Sequence, residues 1–147
     1  MQAKIVRLDK AVELPQYHTL ESAGFDIASS EDKIIKPKEL VLLDTGLIIQ
    51  APEGHFLLIA ARSSLPLKKG LMVSNGIGVV DRDYCGPEDQ IRISVYNFRD
   101  EPVEVKKGDR LAQGLFLPVD QVEWIETENI KDQSRGGFGS SGGYTNV

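Results

Sequence analysis

A single cysteine, Cys85, stands among the 147 residues, so no internal disulfide can staple this chain, and a reducing, cytoplasmic setting is expected. Histidine is scarce too: His18 and His55 lie far apart, complete no zinc-like ligand set with one cysteine, and read as surface or packing residues. Long apolar runs are missing. No stretch approaches the roughly 18 apolar residues of a membrane span, since LVLLDTGLIIQ is cut by Asp44 and Gly46. The opening MQAKIVRLDK carries charges where a signal peptide needs an apolar core. These absences predict a protein without a membrane partner. No sustained apolar period near 3.6 occurs, so helix is expected only as a short piece around Leu65 to Gly70. Excess positive charge is also lacking: a formal charge of −5 argues against a sequence-independent grip on nucleic acid, which needs clustered Lys and Arg. A free nucleotide stays open, because a few local donors suffice to hold one.

Familiar catalytic signatures are missing as well. There is no G-x-x-x-x-G-K-[ST] phosphate loop. Gly137, Gly139 and Gly142 match the spacing G-x-G-x-x-G, but that fingerprint needs a preceding strand, a following helix and an acid about 20 residues later. Only Tyr144 to Val147 follow Gly143, so a dinucleotide fold is rejected. Arg62-Ser63-Ser64 has no histidine beside it and no G-x-S-x-G elbow exists, which disfavours covalent serine catalysis.

What the chain does contain is a series of short runs rich in Val, Ile, Leu and Phe between Gly, Pro, Asn and Asp clusters. These are KIVRL, ELVLLD, GLIIQ, HFLLIAA, GIGVV, QIRISVYN, VEVKKG, RLAQGLFLPV and VEWI. Such spacing predicts an all-β domain, a sandwich, barrel or jelly roll. Its clearest strand has Ile91, Ile93 and Val95 alternating with Arg92, Ser94 and Tyr96, a period of two that buries one face. The domain is expected to span residues 1–131. From residue 132 to 147 the composition shifts to glycine and serine, too little apolar surface to offset chain entropy. Two readings follow, a floppy terminus or an arm that closes over a ligand, the second favoured by an arginine able to clamp phosphate and a phenylalanine able to cover a base.

One acidic stretch, Ser74 to Gly86, joins an Asn-Gly turn to D-x-D-Y-x-G and predicts a hairpin. Asp81 and Asp83 have an ordinary role open to them, accepting turn amides. The alternative is that one carboxylate takes a proton from water while Tyr84 packs on a flat ligand.

Five segments, in order, resemble the motifs of the trimeric dUTPase family. Ser22-Ala23-Gly24-Phe25-Asp26-Ile27 is similar to A-A-G-[YF]-D-[LI], and Ala61-Arg62-Ser63-Ser64-Leu65 to P-R-S-[GS]-[LM]. Asn75 through Gly86 is similar to N-x-x-G-x-I-D-x-D-Y-x-G, and Gly108 through Gln113 to G-D-R-[IL]-A-Q. Arg135 through Gly142 resembles the glycine-rich fifth motif.

That resemblance implies a distorted jelly roll of β-clip type, assembled as a homotrimer with active sites shared among chains and closed by the C-terminal arm. It implies hydrolysis of dUTP to dUMP and pyrophosphate, which keeps uracil out of DNA and supplies dUMP for thymidylate synthesis. Asp81 would be the general base for water attack on the α-phosphorus. Asn75 and the backbone of Gly78 and Val80 would read uracil, and Tyr84 would stack under deoxyribose. Ser63 and Gln113 would contact the phosphate chain, Arg62 would support the phosphate region, Arg135 would take the terminal phosphate, Phe138 would cap uracil from the tail, and Ser64, Gly139 and Ser140 would join the substrate-binding set. Mg²⁺ would be held by the triphosphate and waters without direct protein ligands, Asp26 giving indirect support.

Three departures stand out. Arg135 lies three residues before Phe138, and Gln133 holds the family's usual arginine position. Pro87-Glu88-Asp89 extends the loop after Gly86, and Ala61 replaces a proline. Asp109-Arg110 reads as a structural ion pair in a turn, with Gln113 the true contact; Asp83 also reads as structural. A related family, dCTP deaminase, shares the fold and an R-S-S segment but needs a glutamate in the following strand, which here reads Ile91 to Tyr96 without an acid. A noncatalytic nucleotide sensor is the remaining alternative.

Overall fold

Alternation decides the clearest strand. Ile91, Ile93 and Val95 are buried while Arg92 faces solvent, as a two-residue period requires. The computed structural model describes residues 1–137. Its strands are β1 (Lys4–Arg7), β2 (Phe25–Ala28), β3 (Lys33–Ile35), β4 (Leu40–Asp44), β5 (Leu47–Gln50), β6 (His55–Ala61), β7 (Leu71–Val73), β8 (Ile77–Val80), β9 (Arg92–Asn97), β10 (Val103–Val105) and β11 (Arg110–Pro118). Among the described residues helix is limited to one turn, Leu65–Lys69, where it was expected, with Pro66 at its start and Gly70 ending it at φ 70°, a conformation glycine adopts without strain. No described helix is long and apolar enough to cross a membrane.

The strands form a distorted jelly roll. One sheet has the order β2-β11-β6-β8 and a second β4-β9-β7, with the pairs β1-β5 and β3-β10 completing the wall; every pairing is antiparallel. Ile27, Leu43, Leu57, Leu71, Ile93 and Leu111 fill the space between the sheets and are almost wholly buried. Phe25 seals one end against Phe116, ring centroids 5.5 Å apart, and lies so close over Gly114 that a Cβ there would meet the ring at 2.5 Å. Buried Asn97 ties distant loops together. Its Nδ2 donates to the carbonyls of Ile35, Lys36 and Glu101, and its Oδ1 accepts from Arg99 N–H.

Three elements differ from expectation. VEWI forms no strand: Val122, Trp124 and Ile125 are exposed in an irregular segment after β11, because β-favourable composition makes a strand only beside a partner edge. FDIA, KII and LMV do form strands, β2, β3 and β7, although three or four residues carry too little alternation to stand out. The hairpin predicted for Ser74 to Gly86 is not formed as a paired ladder. β7 pairs with β9 and β8 with β6, so the Asn75-Gly76 turn carries the chain from one sheet to the other. Gly76, at φ 73°, makes that reversal possible.

Candidate active site

The sheet β2-β11-β6-β8 gathers four of the sequence motifs side by side. Asp26 of β2 faces Gln113 of β11, Gln113 faces Ala60 of β6, and Ala60 faces Ile77 of β8. Arg62 and Ser63 leave the end of β6 next to β11, where Arg62 N–H donates to Leu111 C=O at 3.2 Å. A bulge shapes this corner: Arg110 pairs with Ala28 and Ala112 with Ile27, leaving Leu111 as the extra residue. Residues three apart would otherwise face opposite sides of a strand; the inserted Leu111 puts Arg110 and Gln113 on the same side as Asp26.

Asp26 is the hub of a charged cluster. Its carboxylate is buried; Oδ1 accepts from Arg62 Nε at 3.0 Å, and Oδ2 lies 3.0 Å from His18 Nε2 and 3.3 Å from Arg110 Nη1. Arg110 Nη1 is also 2.7 Å from His18 Nε2. Burial of the carboxylate is compensated by these partners. His18 thus belongs to this cluster rather than to an uninvolved surface; a lone histidine at that position gives no sequence signal of it. The cluster borders a cleft of about 370 Å³ lined also by Val12, Gln16, Ser29 and Lys107.

Asp109 and Arg110 do not pair with each other, contrary to expectation. Arg110 turns across the sheet to Asp26, while Asp109 folds back on its own turn. There Asp109 Oδ2 accepts from Lys106 N–H at 2.9 Å and from Lys69 Nζ at 2.6 Å. Partial burial pushes the Asp109 carboxyl up, but the Lys106 amide and the Lys69 and Lys106 ammonium groups outweigh it and hold the pKa below the ordinary value. Lys69 belongs to the helical turn that follows Arg62-Ser63-Ser64, so this pair ties that loop to the turn before β11. Ser63 is exposed, and the hydroxyl of Ser64 makes no capping bond.

β8 is an edge strand, paired to β6 on one side only among the described residues. Alternate residues of such a strand aim N–H and C=O groups outward, unpaired, and Gly78 and Val80 lie in this stretch between exposed Asn75 and exposed Asp81. The loop beyond is closed by its backbone: Tyr84 N–H donates to Asp81 C=O at 3.2 Å and Cys85 N–H to Asp83 C=O at 2.9 Å. Neither the Asp81 nor the Asp83 carboxylate accepts a hydrogen bond among the described residues, so turn capping does not occupy them. Tyr84 presents its ring at 43% exposure.

One chain does not bring all these groups together. Asp81 lies four positions beyond Ile77, which is level with Gln113 two strands away. At about 3.3 Å per residue and roughly 4.8 Å per strand, this separates them by ~16 Å, farther than one triphosphate reaches. Arg135 is exposed at the end of the described chain; Phe138, Gly139 and Ser140 lie outside the described residues. No three His, Cys, Asp or Glu side chains among the described residues converge as a metal cage.

The dUTPase family profile matches residues 10–142. A deoxyuridine 5'-triphosphate nucleotidohydrolase of Nautilia profundicola is 43% identical over 144 residues, 97% of this chain and 99% of that protein. One from Desulfitobacterium hafniense is 44% identical over 142 residues, covering 93% of this chain and 92% of its own. The crystal structure of dUTPase from Streptococcus mutans superposes with a TM-score of 0.76 at 31% identity, covering 84% of this chain and 100% of that one.

Proposed function

The chain belongs to the dUTPase family and is a hydrolase of dUTP, and from that premise we propose that water attacks the α-phosphorus with Asp81 as general base. The observation that carries this reading is the edge of β8, free among the described residues, running from Asn75 to a carboxylate that no other described residue engages. Uracil offers two acceptor oxygens around one N–H donor, and outward backbone groups of Gly78 and Val80 with the Asn75 amide supply the complement, as an added strand would. Cytosine reverses part of that pattern and leaves buried polar groups unpaired. Tyr84 stacks beneath deoxyribose and leaves no room for a 2′-hydroxyl.

At the far end of the substrate, Arg62, Ser63, Ser64 and Gln113 hold the phosphates, Arg62 being set in place by Asp26. Water loses its proton to Asp81 as its oxygen bonds to the α-phosphorus, and pyrophosphate departs, leaving dUMP. The residues present fit Mg²⁺ carried in on the substrate. Exposed Asp81 and Asp83 are free to meet metal-bound waters, and Asp26, fully engaged by His18, Arg62 and Arg110, supports the phosphate region only through Arg62. Such an ion neutralises phosphate charge during displacement. Arg135 and the arm residues Phe138, Gly139 and Ser140 complete the proposal by covering the bound nucleotide, residues 132–147 acting as the arm on a domain of residues 1–131.

The proposal includes a homotrimer with shared sites, and the ~16 Å separation within one chain supports the sharing. The outer side of the β2-β11-β6-β8 sheet supports this assembly: Ile77 is 50% and Val79 61% exposed, beside Leu58 and Leu115, an apolar face of the kind that marks an interface. The lone thiol of Cys85 suits a cytoplasmic setting.

The testing experiment is pyrophosphate release with Mg²⁺ from dUTP, dCTP, dTTP and UTP in parallel. Release from dUTP alone is expected; equal turnover of dCTP or UTP would overturn the reading of the β8 edge and Tyr84.

A further inference from the structure

Between the turn that carries Tyr84 and strand β9 runs the short loop Pro87-Glu88-Asp89-Gln90. This loop is closed on itself. Asp89 N–H donates to Gly86 C=O at 3.1 Å, and Gly86 N–H donates back to Asp89 Oδ2 at 2.7 Å. Gln90 then fastens the loop to the body: its Oε1 accepts from Gly46 N–H at 3.2 Å, and its carbonyl accepts the Tyr84 hydroxyl over a long 3.5 Å. Nearby, Gln50 Nε2 reaches Cys85 Sγ at 3.5 Å.

A ring with 43% of its surface exposed has little packing to hold it, and its single hydroxyl contact is long and weak. Its placement is therefore governed by the backbone on either side. On one side Tyr84 N–H is bonded to Asp81; on the other, two residues along, the firmest bond is the short one from Gly86 N–H to the Asp89 carboxylate, charge-assisted and accordingly stronger than a neutral contact.

We infer that Asp89 is a positioning residue for Tyr84, fixing how closely the ring approaches the sugar and so how firmly a 2′-hydroxyl is refused. This rests on the stacking of Tyr84 under deoxyribose proposed above. Loss of the clamp lets the ring retreat, and a retreat of an ångström is enough to admit one more oxygen. The effect falls on discrimination between dUTP and UTP rather than on the proton transfer at Asp81.

The test compares kcat/KM for dUTP and UTP in the full-length protein and four variants, with thermal melting alongside. Asp89→Ala removes the acceptor, whereas Asp89→Asn keeps an oxygen for Gly86 N–H. Gly86→Ala attacks the same bond from the other side: its Cβ would stand 2.9 Å from Asp89 Oδ2, so the fold is kept and only a carboxylate end must shift. Tyr84→Ala reports on the stacking itself. We expect Asp89→Ala and Gly86→Ala each to lower the dUTP/UTP ratio about tenfold, Asp89→Asn to restore it, and Tyr84→Ala to lower it at least as far. If Asp89→Ala and Gly86→Ala keep the wild-type ratio while Tyr84→Ala loses it, Asp89 has no such role and the stacking stands. If Tyr84→Ala keeps the ratio, the stacking fails and the inference with it.

Discussion

Asp26 Oδ1 accepts a hydrogen bond from Arg62 Nε at 3.0 Å across the strand that separates β2 from β6. The carboxylate is 5% exposed and the guanidinium 29%, so water does little to soften the loss of either. Asp26→Ala would leave Arg62 and Arg110 close together without their shared counter-ion. We expect a loss of about 2–4 kcal/mol in unfolding free energy, toward the lower end because both arginines reach solvent. Arg62→Ala should cost less stability and more catalysis. Denaturant titration and steady-state kinetics on the two variants separate these effects; equal stability of Asp26→Ala and wild type would refute the account of the cluster.

Asp81→Asn changes one oxygen for an amide at nearly constant shape, in a position where the native carboxylate is exposed and makes no described hydrogen bond. Melting temperature and nucleotide affinity should therefore stay close to wild type. Turnover should fall by roughly 10²–10⁴, the usual contribution of a positioned general base. Calorimetric binding of a non-hydrolysable dUTP analogue, run beside pyrophosphate release, checks both halves. Undiminished turnover would remove Asp81 from the mechanism.

Asp109 yields a prediction about acid. Partial burial raises its carboxyl, but the Lys106 amide and the Lys69 and Lys106 ammonium groups outweigh that and hold its pKa in the fold below the ordinary aspartate value. A carboxyl whose folded pKa is depressed contributes stability that is present above its unfolded value, and that is lost as pH falls through the folded one. Wild type should thus exceed Asp109→Asn in stability at neutral pH, with the gap closing below about pH 4. Unfolding free energies at fixed protein concentration from pH 7 downward measure it. A gap that widens in acid would contradict the sign.

Much of this was legible in the residues themselves, and what was not has a physical cause. Period-two alternation marked β9, and the motif segments named the residues that the sheet later sets side by side. Their adjacency depends on strand order, which no local pattern encodes. The bulge at Leu111 is a matter of register between strands, so the shared face of Arg110 and Gln113, and the pairing of Arg110 with Asp26 instead of Asp109, could not be read from spacing. His18 lacked any signal because its partners are brought to it by the fold. VEWI misled for the opposite reason, since its composition suits a strand but no described edge receives it.

Strand register also separates the two halves of the candidate site, and this permits a test of sharing that no single variant offers. Within one chain Asp81 and Gln113 stand ~16 Å apart by strand geometry, while the proposed mechanism requires both at one triphosphate. If Asp81 of one subunit works with Arg62 and Gln113 of another, Asp81→Asn and Arg62→Ala damage different halves of each site. Homotrimers of either variant should be nearly inactive. Unfolding and refolding the two together creates mixed trimers, in which some sites draw Asp81 from the Arg62→Ala chain and Arg62 from the Asp81→Asn chain. Those sites are intact. Activity should then rise well above that of either variant refolded alone, in proportion to the mixed population seen by native mass spectrometry. Mixed trimers without recovered activity would mean that each subunit builds its own site, and that β8 and the end of β6 approach one another by a movement the sheet register does not provide.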